Sequence, residues 1–107
     1  MITVLVVSDP ERARALDEAA ARMPSLEILH ADDGEQALDR LARNRRIDAV
    51  LLLREARAAA EVARLILEED PGAPPLYVVG IPVPGTQWLP AAEPASLLEA
   101  LERELAG

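Results

Sequence analysis

The sequence predicts an α/β domain built on a doubly wound parallel sheet, and two observations predict it. Continuous apolar runs rich in branched side chains, such as Ile2-Thr3-Val4-Leu5-Val6-Val7 and Asp48-Ala49-Val50-Leu51-Leu52-Leu53, suit strands covered on both faces. Between such runs lie segments with apolar residues at helical spacing, opened by capping residues and closed by proline or basic residues. Strands alternating with helices in this way mean βαβ units joined by right-handed crossovers.

The first strand stops at Ser8-Asp9-Pro10-Glu11. Asp9 suits an N-cap, Pro10 the first helical position, and Glu11 the positive end of the helix dipole. That helix is expected to run to about Met23, with Ala13, Leu16, Ala20 and Met23 inward, and Pro24 ends it. Leu26 to Ala31 reads as a second strand. Asp32-Asp33-Gly34-Glu35 then caps a helix with Ala37, Leu38, Leu41 and Ala42 on one face. The basic end, Arg43-Asn44-Arg45-Arg46, complements the negative end of that helix's dipole.

The run from Asp48 to Leu53 is the third strand. The third helix is expected from Ala56 to Glu69, with Ala59, Val62, Ala63 and Ile66 inward. Asp70-Pro71-Gly72-Ala73-Pro74 is a stop and a loop. Pro75 to Ile81 reads as a fourth strand. Pro94 to Leu105 reads as the final helix, with Leu97, Leu98, Leu101 and Leu105 in its apolar stripe.

One segment breaks the rhythm. Pro82-Val83-Pro84-Gly85-Thr86-Gln87-Trp88-Leu89-Pro90 is too short and too proline-rich before Gln87 to hold a crossover helix. The expectation is an extended loop returning the chain to a short parallel edge strand at Gln87-Trp88-Leu89. The other pairing direction for that piece stays open.

Composition narrows the function classes. The chain has 107 residues, enough for one domain and one core, taken as residues 1–107. No run of about 18 apolar residues is present, so no membrane span is expected. Met1 leads directly into a strand-like segment, with no signal-peptide pattern. There are no cysteines, which excludes disulfides and thiolate chemistry and fits a cytoplasmic setting. A net charge of −8 speaks against nucleic-acid binding by this domain alone, because phosphate contacts need a basic surface.

The order and punctuation of these elements resemble the receiver domain of bacterial two-component response regulators. Val4-Leu5-Val6-Val7-Ser8-Asp9-Pro10 looks like that family's first strand and its following acidic pair. Ala31 to Leu38 is similar to its entry into the second helix. Asp48 to Leu53 looks like its third strand, and Glu69-Asp70-Pro71 with Pro75 to Val79 like the run into the fourth. The resemblance covers nearly the whole chain and implies a flavodoxin-like sheet of strand order 2-1-3-4-5, with the fourth helix replaced by a short proline-rich loop.

The family's chemistry does not carry over with the scaffold. A receiver accepts a phosphoryl group on an aspartate beside a Mg²⁺ ion, which wants hard oxygen ligands and offsets charge on the phosphoryl oxygens. Position by position, the resemblance puts Ser8 and Asp9 at the acidic pair and Leu53 at the nucleophile. It puts Gly80 at the hydroxyl residue after the fourth strand, Ala91 at the lysine after the fifth, and Trp88 at the aromatic of the fifth. Of the acid pair, nucleophile, hydroxyl and lysine, only Asp9 keeps the family's chemistry. The third loop is also short and lacks the usual Met-Pro-Gly type of turn. Glu55 could substitute for the nucleophile only through a register shift of two residues. The expectation is a degenerate receiver, or pseudo-receiver, that is not an enzyme and holds no metal or cofactor.

Other candidates have plainer readings. Asp9 is a remnant ligand or simply a helix cap. His30, at a strand end, has no second catalytic group beside it in sequence and reads as a surface histidine. Asp32 to Glu35 lacks the later ligands of a calcium loop. Gly80 and Gly85 form no phosphate-binding fingerprint, and Arg43 to Arg46 reads as a solvated helix end. Trp88 has two readings, a plug for the gap left by the missing helix or an anchor in a protein interface.

The leading expectation is a phosphorylation-independent signalling module that binds a protein partner or a second copy of itself. The expected surface is Pro82, Val83, Pro84, Trp88, Leu89 and Pro90 with the final helix. Alternatives are an N-terminal regulatory or dimerisation domain of a longer transcription regulator, and a small-ligand binder at the carboxyl rim of the sheet.

Overall fold

Val4, Leu5, Val6 and Val7 are fully buried, and their side chains alternate between the two faces of one sheet. That alternation positions everything else. The computed structural model describes residues 1–80 and 82–106. Among them the chain runs β1 (Ile2–Ser8), α1 (Pro10–Ala20), β2 (Leu26–Ala31), α2 (Gly34–Arg43), β3 (Ala49–Leu53), α3 (Ala56–Glu69), β4 (Leu76–Val79), β5 (Gln87–Leu89) and α4 (Pro94–Ala106). The strands pair in parallel in the order β2-β1-β3-β4-β5, as expected.

Two apolar layers sandwich the sheet. Leu5, Val7, Val50, Leu52 and Val78 meet Ala37 and Leu41 of α2 and Ala59, Ala63 and Ile66 of α3. Val4, Val6, Ala49, Leu51, Tyr77 and Leu89 meet Leu16 of α1 and Leu97, Leu98 and Leu101 of α4. Each fully buried leucine of this kind contributes about 1.5–3 kcal/mol relative to exposure. The first backbone N–H of the β1/β3 ladder is tied by a side chain: Thr3 N–H donates to Asp48 Oδ2 at 2.8 Å, and Asp48 N–H donates to Thr3 O.

Three boundaries differ from the sequence reading. α1 ends at Ala20, because Met23 N–H bonds to Ala20 O and Arg22 N–H to Ala19 O, a tighter turn than an α-helix allows. Met23 still packs against the core from beyond the helix. Ala42 is exposed, so the inner stripe of α2 is narrower than expected. β4 begins at Leu76, since Pro75 has no N–H and joins the sheet only through its carbonyl, which accepts from Val50 N–H. β4 ends at Val79, short of the expected Ile81, because Gly80 bends away at φ +93°; Ile81 itself lies outside the described residues.

The loop after β4 replaces a helix, and β5 pairs in parallel with β4 in the register Tyr77↔Gln87, Val78↔Trp88 and Val79↔Leu89. The loop turns through Gly85, at φ +83°, with Thr86 N–H and Oγ1–H both donating to Val83 O. Val83 packs onto the α2/α3 core layer. The register puts Trp88 on that same face, since Val78 points there.

Candidate functional site

The carboxyl ends of the strands form one rim, where ligands of open α/β sheets bind. Of the six positions singled out by the receiver resemblance, Ser8, Asp9, Leu53, Gly80 and Ala91 stand at or just past the carboxyl ends of their strands. Ser8 ends β1 and stands in register with Leu53, which ends β3. Ser8 is 2 % exposed, and its hydroxyl donates to Asp9 O. Leu53 is 8 % exposed and belongs to the α1/α4 core layer. A hydrocarbon side chain therefore closes β3 at the point where the resemblance expects a nucleophilic carboxylate.

Asp9 is the N-cap of α1, and its Oδ1 accepts from Arg12 N–H at 2.8 Å. The Arg12 guanidinium faces the other carboxylate oxygen at 3.6 Å and donates from Nη1 to Leu53 O at 3.1 Å. A cationic side chain thus bridges the surviving acid and the end of β3. Among the described residues no three Asp, Glu or His side chains gather as a ligand set. The chemistry present does not fit Mg²⁺, which needs several hard oxygen donors around it.

Gly80 follows β4 at φ +93°, a conformation that costs a β-branched threonine or a serine strain. Ala91 is exposed and lines a cleft of about 310 Å³ at the rim, together with Leu53, Val79, Leu97, Arg12 and Arg54. Glu55 occupies the N-cap position of α3, makes no side-chain cap bond, and is exposed outside that cleft.

Arg12 and Arg54 are the residues that sequence reasoning passed over. A signal for Arg12 was present, because a cation in the first turn of a helix opposes the dipole and needs a compensating partner. Arg54 directly follows β3, and its Nη2 donates to Asp32 O.

The remaining candidates take structural roles. His30 Nε2 lies 2.8 Å from Asp17 Oδ1 of α1, a partner distant in sequence. Asp33 caps α2 by accepting from Gln36 N–H, while Gln36 Oε1 accepts from Asp32 N–H, a reciprocal capping arrangement. Arg43 pairs with Asp39 one turn away, and Arg45 approaches Asp70.

The loop residues divide. Leu89 is 2 % exposed and packs with α4, so its side chain belongs to the core and not to a contact surface. Trp88 is 50 % exposed, with Nε1–H donating to Gly80 O, and so does not plug the gap. Val83 fills part of that space instead. Pro82, Pro84 and Pro90 are exposed.

No family model matches the chain, and no curated protein does. Solved structures do. The chain has the fold of response-regulator receiver domains. A response regulator from Thermotoga maritima superposes with a TM-score of 0.74 at 21 % identity, covering 100 % of this chain and 99 % of that one. The chemotaxis protein CheY4 of Vibrio cholerae matches at 0.69 and 22 % identity, over 96 % of this chain and 98 % of its own. A de novo designed Rossmann 2x3 protein matches at 0.64 and 18 % identity, over 98 % and 89 %. Such a fold does not by itself specify an activity.

Proposed function

We propose that this domain is a pseudo-receiver, a signalling module that acts through protein contact without being phosphorylated. The observation that carries the reading is Leu53, an alkyl side chain closing β3 in register with Ser8. Neither residue can form an acyl phosphate. The one acid left at the rim, Asp9, is occupied as a helix cap and by Arg12. The receiver fold supports a role in response-regulator signalling. The contact surface in this reading is Trp88 with Pro82, Pro84 and Pro90, on the side where the loop stands in for a helix. An exposed tryptophan beside prolines is the composition of an interface anchor.

Two experiments test it. Incubation with acetyl phosphate and Mg²⁺ followed by intact-mass measurement gives no adduct, and an acid-labile phosphoryl group on Asp9 or Glu55 would refute the phosphorylation-independent part. Co-purification from native cell lysate gives specific partners for the wild type and loses them for Trp88→Ala. Equal recovery by both removes the loop surface from the reading.

A further inference from the structure

The rim cleft is lined by two arginines, Arg12 and Arg54, in a chain of net charge −8, and the one carboxylate beside it is Asp9, 3.6 Å from the Arg12 guanidinium. Arg12 reaches it from the first turn of α1 and Arg54 from the residue after β3. Most of the remaining wall is hydrocarbon, supplied by Leu16, Leu53, Val79 and Leu97. α4 also begins at the cleft with Pro94, so its N-terminal end adds partial positive charge beside the two guanidiniums, whereas that of α1 is already capped by Asp9. The apolar wall strengthens each of these interactions by excluding water.

Both arginines have donors to spare. Each guanidinium carries five N–H groups. Arg12 commits Nη1 to Leu53 O and turns Nε toward Asp9 Oδ2 at 3.6 Å, and Arg54 commits Nη2 to Asp32 O, while Arg54 Nε–H is buried with no acceptor. These backbone bonds hold the two cations in place before any ligand arrives. The volume suits a small molecule and is far below what a folded partner would need.

We infer that this cleft binds a small organic phosphomonoester, its dianionic head held by Arg12 and Arg54 and its apolar body resting on Leu16, Leu53, Val79 and Leu97. The two guanidiniums bind phosphate oxygens in the fork geometry that arginine favours, and the dianion competes with Asp9 for Arg12. The site is separate from the loop surface that carries the protein-contact reading, and each can fail without the other.

The test is calorimetric titration of the intact chain with phenyl phosphate at low salt, with amide chemical shifts recorded alongside. Binding is saturable at one site, and the shifts cluster at residues 12–16, 53–54 and 91–97. Phenol, which has the ring and no anionic head, shows no saturable binding, and benzoate, with one charge fewer, binds more weakly. Arg12→Gln and Arg54→Gln each weaken phenyl phosphate binding at least tenfold. Ala15→Trp fills the cleft from the exposed side of α1, keeps both arginines and abolishes binding, with far-UV circular dichroism verifying its fold. No saturable binding by the wild type, benzoate binding as tightly as phenyl phosphate, or Ala15→Trp binding as tightly as the wild type overturns the assignment.

Discussion

Gly85 and Leu67 are packed so closely that a Cβ on Gly85 would lie 2.6 Å from Leu67 Cδ1. The loop that replaces a helix is therefore seated directly on α3. Gly80, the other left-handed glycine, has open space where its Cβ would be. The pair separates two costs. Gly80→Ala pays backbone strain alone, about 1–2 kcal/mol. Gly85→Ala has the same strain and must also push aside Leu67 Cδ1, the far end of a side chain that is 39 % exposed, so it loses at least as much. Urea denaturation of both variants checks the order, and a smaller loss at Gly85 than at Gly80 would contradict it.

Trp88 is the chain's only tryptophan, which makes its surroundings directly readable. Half exposed, it emits at the long wavelength of a solvated indole and is readily quenched by acrylamide. Trp88→Ala costs little stability, under about 1 kcal/mol, because surface substitutions away from packed features seldom cost more. A blue emission maximum with slow quenching would place the ring in the core after all.

Leu98 and Leu67 sit at the extremes of leucine burial. Leu98 is fully buried in the α1/α4 layer, whereas Leu67 is 39 % exposed. Leu98→Ala should cost about 2–5 kcal/mol by lost transfer energy and the cavity left behind. Leu67→Ala should cost a small fraction of that. Chemical denaturation midpoints with unchanged m-values check both.

Tyr77 supplies an alkaline pH dependence. Burial, and then the nearby negative charge of Glu104, raise its phenol above the usual 10.0. The folded state therefore holds the proton more tightly than the unfolded chain. The associated stability is fully present below pH 10 and is lost as pH rises through the raised folded value. Tyr77→Phe flattens this alkaline limb, and Glu104→Gln shifts it toward lower pH. Phenolate absorbance followed against pH, together with melting temperature, measures the effect, and an identical limb in Tyr77→Phe would assign it to another group.

Much of this architecture could be read from the residues. The buried runs, the caps at Asp9 and within Asp32 to Glu35, and the stripe of α3 are local signals that placed their elements, although α1 ends at Ala20, three residues before the expected Met23. The short strand at Gln87–Leu89 was expected because the segment before Gln87 is too short and too proline-rich for a crossover helix. What escaped was non-local. Leu89 looked like a surface residue because a three-residue strand has too little periodicity to show which side faces inward, and its register with Val79 decides that. Arg12 bonds to a carbonyl 41 positions away, and no pattern along the chain marks such a partner. At the rim, the scarcity of carboxylates was plain in the sequence, while the cations that stand there became visible only when α1 and β3 were brought together.

The sheet finishes at β5, three residues long and followed at once by Pro90. Such an edge offers an incoming strand very few free backbone donors and acceptors, and proline supplies none of the donors. A chain that is half apolar and carries an uncovered tryptophan beside this edge is thereby shielded from templated stacking of one molecule on the next, so the brevity of β5 guards against fibril growth from this side.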